Sequence, residues 1–182
     1  MTHIYNQSLL TGIIPDELKI AVVTPIYKSS DKESFSNYRS ICVLPCFSKI
    51  LEKLVYKRIV KFLDKQNILS ESQYGFRKKR STNLAILELV TKISKAIDDS
   101  EFTMGVFLDV SKAFDTVDHV ILLQKLEHYG IRGVALDWFK NYLTGRTQFV
   151  KYKTTYSNSL SIKCGVPQGS VLRASVITII HQ

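Results

Sequence analysis

Residues 102–109, FTMGVFLD, set Phe102, Met104, Val106 and Leu108 against Thr103, Gly105, Phe107 and Asp109. That period of two reads as a buried β-strand with a carboxylate at its C-terminal end. The flanking stretches follow a different period. Upstream, Phe47, Ile50, Leu51, Leu54, Val55, Ile59, Phe62 and Leu63 recur at three- and four-residue steps, one apolar face of a long helix. Lys49, Lys53, Lys57 and Lys61 form a basic stripe on its other side, usually a solvated face. A second helix is expected from Ser81 or Thr82, either a good N-cap, to about Ile97. Downstream come helices over about 118–129 and 134–144, with Gly130 and Gly145 at their C-caps. Short strands follow near 147–153 and 159–164. Segment 18–27, LKIAVVTPIY, is β-prone but interrupted by Pro25, so it reads as an edge strand or hairpin arm. Strands and helices mix without a regular βα repeat, which makes α+β the expected class.

The 182 residues suffice for one sizeable core. A hydrophobic share of 45% argues against a disordered chain. The net charge of +9 favours anionic partners, nucleic acid first and a membrane surface as the rival, with a merely basic solvated surface as the plainer reading. Cys42, Cys46 and Cys164 are too few for a disulfide framework and read as small core residues in a reducing compartment. No apolar run reaches the length of a membrane span, so a soluble intracellular protein is expected, nucleus and cytoplasm not being distinguished.

Asp109 is the first candidate for chemistry. A charge ending an apolar strand needs a partner: a divalent metal, a lysine or a helix N-terminus. After it, Val110-Ser111-Lys112-Ala113-Phe114-Asp115 gives a turn and then a bulky aromatic. Such an arrangement can hold a metal-bound triphosphate against Asp109 and set Phe114 against its sugar. The stretch FLDVSKAFDTV resembles motif A of the non-LTR (LINE-like) retrotransposon reverse transcriptases. GVPQGS at 165–170 resembles their motif B, and YRSICVLPCFSKILEKLVYKRI at 38–59 and QYGFRKKRST at 73–82 resemble their fingers segments. The four pieces stand in the family's order and spacing.

The resemblance implies a right-hand polymerase fold: a partial domain over 1–172, with fingers over about 1–100 and an incomplete palm with inserted helices over 101–172. It implies no thumb, and a divergent tail at 173–182. It implies RNA-directed DNA polymerase activity on an RNA template, a DNA primer and dNTPs. Asp109 and the Val110 carbonyl would ligate two Mg²⁺ ions. Lys28, Arg39, Phe114 and Gln168 would bind the incoming nucleotide, Phe114 as the steric gate, and Arg77 would touch the template. The plainer alternatives are core packing for Phe114, a solvated loop for Arg77–Arg80, a helix cap for Gln168 and surface pairs for Lys28 and Arg39. Asp115 reads as structural, capping or pairing with Lys112 or a nearby arginine.

The sequence also departs from the family. No Asp or Glu follows Asp137, so the aromatic-x-Asp-Asp of motif C is not among these residues, and Asp98-Asp99 lies upstream of motif A in the wrong order. Arg173-Ala174-Ser175 stands where the family has Gly-Pro, and Ser40 where it commonly has Pro. The tail is apolar and β-prone, an aggregation liability unless covered. The expectation is a polymerase by descent that is inactive as an isolated chain. The alternatives are a non-catalytic basic nucleic-acid-binding module and an unstable transposon relic.

Overall fold

The computed structural model describes residues 1–180 except Ser111, with the side chains of Ser175, Ile177 and Ile180 also left out. The order is α1 (Thr2–Thr11), β1 (Ile20–Tyr27), β2 (Tyr38–Val43), α2 (Cys46–Lys65), α3 (Thr82–Asp98), α4 (His119–His128), α5 (Val134–Leu143), β3 (Thr147–Tyr152), β4 (Thr155–Tyr156), β5 (Leu160–Ser161) and α6 (Arg173–Ile180). The class is α+β, as the irregular order of periods requires.

The sheet is organised around β1. It pairs antiparallel with β2, placing Val22 opposite Val43 and Tyr27 opposite Tyr38. On its other side it runs parallel to β3, from Ile20 opposite Thr147 to Val23 opposite Val150. The first half of β1 is therefore central, not an edge. Pairing with β3 stops before Pro25, which pairs only with Ser40 of β2. A proline lacks the N–H that a second ladder would use, so Pro25 lies where the strand becomes an edge. Ala21, Val23, Cys42 and Leu44 form a small core on the sheet.

The main core is helical. The buried face of α2 is Ser48, Leu51, Glu52, Val55, Ile59 and Leu63. Phe47, Ile50 and Leu54 are exposed, so the helix is rotated from the expected apolar stripe and carries a carboxylate inward. Its lysine stripe is largely solvent-facing, as expected. Asp118 caps α4 by accepting from the Val120 and Ile121 amides. Trp138, Phe139, Tyr142 and Leu143 make the buried face of α5. The N-terminal helix packs on α5, where Trp138 Nε1 donates to Ser8 Oγ at 3.1 Å.

Three expectations are corrected. Residues 102–110 form no strand; every one is exposed, Phe102 and Leu108 almost completely. A buried strand needs neighbours for its N–H and C=O groups, and no described strand pairs with this segment. Next to it, α3 forms where expected, with Ser81 accepting from the Leu84 amide, yet it buries no residue. The end of the chain differs too: 173–180 is a helix against α2 and α4, with Leu172, Val176 and Ile179 buried. Their three- and four-residue spacing suits a helix face better than a strand. Gln182 and His181 lie outside the described residues. Of the cysteines only Cys42 is buried; Cys46 and Cys164 are exposed free thiols. No helix among the described residues is long and apolar enough to cross a membrane.

Candidate functional site

The loop 165–170 is clamped on two sides by backbone. The Gly165 amide donates to the Val117 carbonyl at 2.8 Å and the Val166 amide to the Phe114 carbonyl at 2.9 Å. On the other side the Cys42 amide of β2 donates to the Gln168 carbonyl at 2.9 Å. His119 Nε2 reaches the Gly165 carbonyl at 2.8 Å, which fixes that nitrogen as the protonated one, because a carbonyl only accepts. Both glycines are required by this packing. At Gly165 (φ 81°) a Cβ would stand 2.6 Å from the Asp115 carbonyl oxygen, and at Gly169 (φ 130°) it would overlap the Cys42 carbonyl oxygen. The loop is thus locked between the 114–117 turn and the central hairpin.

Gln168 projects from this lock. Its Nε2 lies 3.2 Å from both oxygens of Asp115. An ionised carboxylate only accepts, so the amide orientation follows: the nitrogen faces Asp115 and the side-chain carbonyl is left for a ligand. Asp115 and Gln168 line a cleft of about 870 Å³ together with Lys32, Arg39, Ser40 and Lys112. Three cations face one carboxylate there, a charge pattern suited to a polyanion held at one end and oriented at the other. Burial, with the Asp115 charge adding to it, pushes the Cys42 thiol up, so it stays protonated beneath the loop and offers no nucleophile.

The expected site residues are brought together only in part. Arg39 and Gln168 share the cleft. Lys28 is exposed and donates its backbone N–H to the Asn37 carbonyl at 2.8 Å; Lys32, four residues on, lines the cleft. Phe114 is half-buried against the main core, its ring edge-to-face with Phe76 and beneath the Arg173 guanidinium. Arg77 donates to the Ser70 carbonyl at 2.6 Å and lines a separate small cleft with Tyr56, Asp64 and Phe76. Asp109 and Val110 lie in the exposed segment. Asp115, read from the sequence as structural and pairing with Lys112 or a nearby arginine, is bonded by Gln168 Nε2, and Lys32 is a cleft residue with no signal in the sequence. The signal for Asp115 was its place one residue after Phe114, directly beneath a loop with two obligatory glycines.

The family model for reverse transcriptase (RNA-dependent DNA polymerase) matches residues 27–181. This chain belongs to the reverse transcriptase family. It is 35% identical to the "Probable RNA-directed DNA polymerase from transposon BS" of Drosophila melanogaster, over 93% of this chain and 19% of that protein. It is 31% identical to the RNA-directed DNA polymerase from mobile element jockey of the same species, over 97% of this chain and 19% of the relative. The polyprotein of the type-1 retrotransposable element R2 of Popillia japonica is 28% identical, over 90% of this chain and 23% of the relative. The chain therefore spans about a fifth of the length of the curated relatives it matches.

Reverse transcriptases generally use divalent metal ions. Among the described residues no group of three or more His, Cys, Asp or Glu side chains is placed to hold one. Asp109 is the single carboxylate at the expected position, and alone it does not build a metal site. What these reverse transcriptase residues do build is the cationic cleft and the locked glutamine.

Proposed function

We propose that this chain is the nucleotide- and template-gripping part of a retrotransposon RNA-directed DNA polymerase. The observation that carries the reading is the convergence of Gln168, Asp115, Arg39, Lys112 and Lys32 on one cleft. In it the phosphates of a dNTP lie toward Arg39, Lys112 and Lys32, which neutralise their charge. The sugar and base lie toward Gln168, whose free carbonyl accepts from a hydroxyl or an amino group. Phe114 is the gate against a 2′-hydroxyl, Lys28 a further phosphate contact, and Arg77 a template contact. The β1–β2 hairpin and the helices to about residue 100 act as fingers, and 101–172 as part of the palm, in the right-hand arrangement. RNA template and DNA primer are the strands held, by phosphate contacts that weaken with salt.

Mg²⁺ is the ion we assign to the complete polymerase, with Asp109 and the Val110 carbonyl among its ligands. We propose that these 182 residues alone bind without extending a primer, because the paired aspartates of motif C are not among them.

The test is equilibrium binding of a dNTP to the whole 182-residue chain, with Arg39→Ala, Lys112→Ala and Gln168→Ala beside it. Each variant is expected to weaken binding about tenfold, the scale of one charge-assisted hydrogen bond. A dNTP affinity indifferent to all three substitutions would sink the assignment of the cleft. Extension of a primer by the isolated chain, abolished by Asp109→Ala, would overturn the second statement.

A further inference from the structure

Glu52 is a carboxylate the polymerase reading does not use. It sits on the buried side of α2 at 1% exposure, a position that costs free energy unless its oxygens are satisfied. Both are. Oε2 accepts from the Val171 amide at 2.6 Å, and Oε1 accepts from the Tyr142 hydroxyl at 2.8 Å. Tyr142 has given its only proton to Glu52, so the 2.8 Å contact between its oxygen and Ser170 Oγ is donated by the serine. Ser170 Oγ in turn accepts from the Leu172 amide at 3.1 Å. The Arg146 guanidinium, 1% exposed, lies 4.9 Å from the Tyr142 ring centre and donates to the Tyr142 carbonyl at 3.2 Å.

One carboxylate thus ties α2, α5 and the two amides that open α6 into a single buried network. Those amides directly follow the loop that carries Gln168. The loop is held at 165, 166 and 168 by backbone bonds to the 114–117 turn and to β2. Its far end is held by Glu52 and Ser170. A backbone held at both ends keeps the Cα–Cβ bond of Gln168 aimed one way, and the bonds to Asp115 then set its amide.

We infer that Glu52 is a positioning residue for nucleotide binding: from the core it fixes the 168–172 segment and so the amide of Gln168. The inference rests on the cleft being a nucleotide site. The network also predicts which substitution is tolerated. In Glu52→Gln the side-chain oxygen accepts from Val171 and the amide nitrogen donates to Tyr142, whose proton then goes to Ser170. Every bond survives with a flipped donor order. Glu52→Leu fills the same space and leaves the Val171 amide buried without an acceptor.

The experiment measures dTTP affinity and amide hydrogen exchange on the full chain. Glu52→Leu should weaken dTTP about tenfold and speed exchange at Val171 and Leu172, with the β1–β2 amides unchanged. Glu52→Gln should stay within about threefold of wild type on both readouts. A purely structural role would lower the unfolding temperature without this local exchange pattern or the glutamine rescue. Wild-type dTTP affinity in Glu52→Leu overturns the inference, as does a glutamine variant as weak as the leucine one. Should Glu52→Leu fail to fold cooperatively, Tyr142→Phe and Ser170→Ala decide, and unchanged affinity and exchange in both overturn it. A wild-type chain that binds no dTTP overturns the nucleotide reading itself and this role with it, whereas dTTP binding indifferent to Glu52→Leu overturns this role alone.

Discussion

The guanidinium carbon of Arg173 lies 3.7 Å from the centre of the Phe114 ring. The same ring meets Phe76 edge-on, with centroids 6.3 Å apart and planes at 81°. The proposed gate is therefore held between the first residue of α6 and the loop before α3. Arg173 stands where the resemblance leads one to expect glycine, so this chain has put a cation over the ring proposed as the gate. Arg173→Ala should cost about 1 kcal/mol of stability. It should also narrow the preference for dTTP over UTP, because the ring gains freedom to yield. Chemical denaturation and paired binding titrations check both; an unchanged preference would assign Arg173 to packing alone.

The two loop glycines give a sharper stability test. Gly169→Ala drives a Cβ into the Cys42 carbonyl at φ 130°. It should destabilise by about 1–3 kcal/mol, the cost of a non-glycine residue in that conformation. Gly133→Ala is the control: its φ is also positive, but nothing lies within 4 Å of the added carbon. The difference in denaturation midpoint between the two isolates the collision from the dihedral.

In the proposed nucleotide cleft Asp115 would have two opposing effects, and they separate by ligand. It orients Gln168, which favours the sugar and base; its charge repels phosphate. Asp115→Ala should bind inorganic triphosphate about two- to threefold more tightly, since an exposed charge interacts weakly through water. The preference for dNTP over inorganic triphosphate should fall about tenfold. A preference that holds steady would mean Gln168 needs no partner.

Glu52 makes a pH prediction. Burial raises its pKa despite the Val171 and Tyr142 hydrogen bonds and the Arg146 charge, which favour the ionised form. A pKa raised in the folded state means the fold binds more protons than the unfolded chain. The stabilisation is then fully present below the ordinary carboxylate pKa and is lost as pH rises through the raised one. Glu52→Gln removes that loss, so its unfolding free energy should gain on wild type as pH rises across this window. A constant difference between the two profiles would count against the burial account.

Asp109 offers a negative control. It is exposed in an unpaired segment, so Asp109→Ala should change stability by less than about 0.5 kcal/mol. A large loss would mean that 102–110 is packed in solution.

The sequence made the helices legible because their periods and caps are local: Ser81 and Asp118 cap where their side chains suggest. It misled wherever a partner decides the outcome. FTMGVFLD has the alternation of a buried strand, but alternation supplies no neighbour, and none of the described strands pairs with it. LKIAVVTPIY looked like an edge because Pro25 is visible in the sequence, while the parallel pairing to Thr147–Val150 is not. The α2 stripe was read from apolar residues alone. Glu52 escaped because a buried carboxylate is legible only once Tyr142 and Val171 are seen beside it. For the site, the family resemblance pointed to Gln168 and Arg39, but the lysines that share their cleft depend on how two loops meet.

The parallel pairing of β1 with β3 has a consequence for how the chain is made. Ser8 finds Trp138 130 positions later, and the open side of Ala21 and Val23 is covered only when Thr147–Val150 arrive. At about 5–20 residues per second, an emerging chain carries that bare strand edge for on the order of ten seconds. During that interval the β1–β2 hairpin is a sticky two-stranded ribbon, open along β1. Growth at the ribosome is therefore a stage at which β1 is open to pairing with the wrong strand.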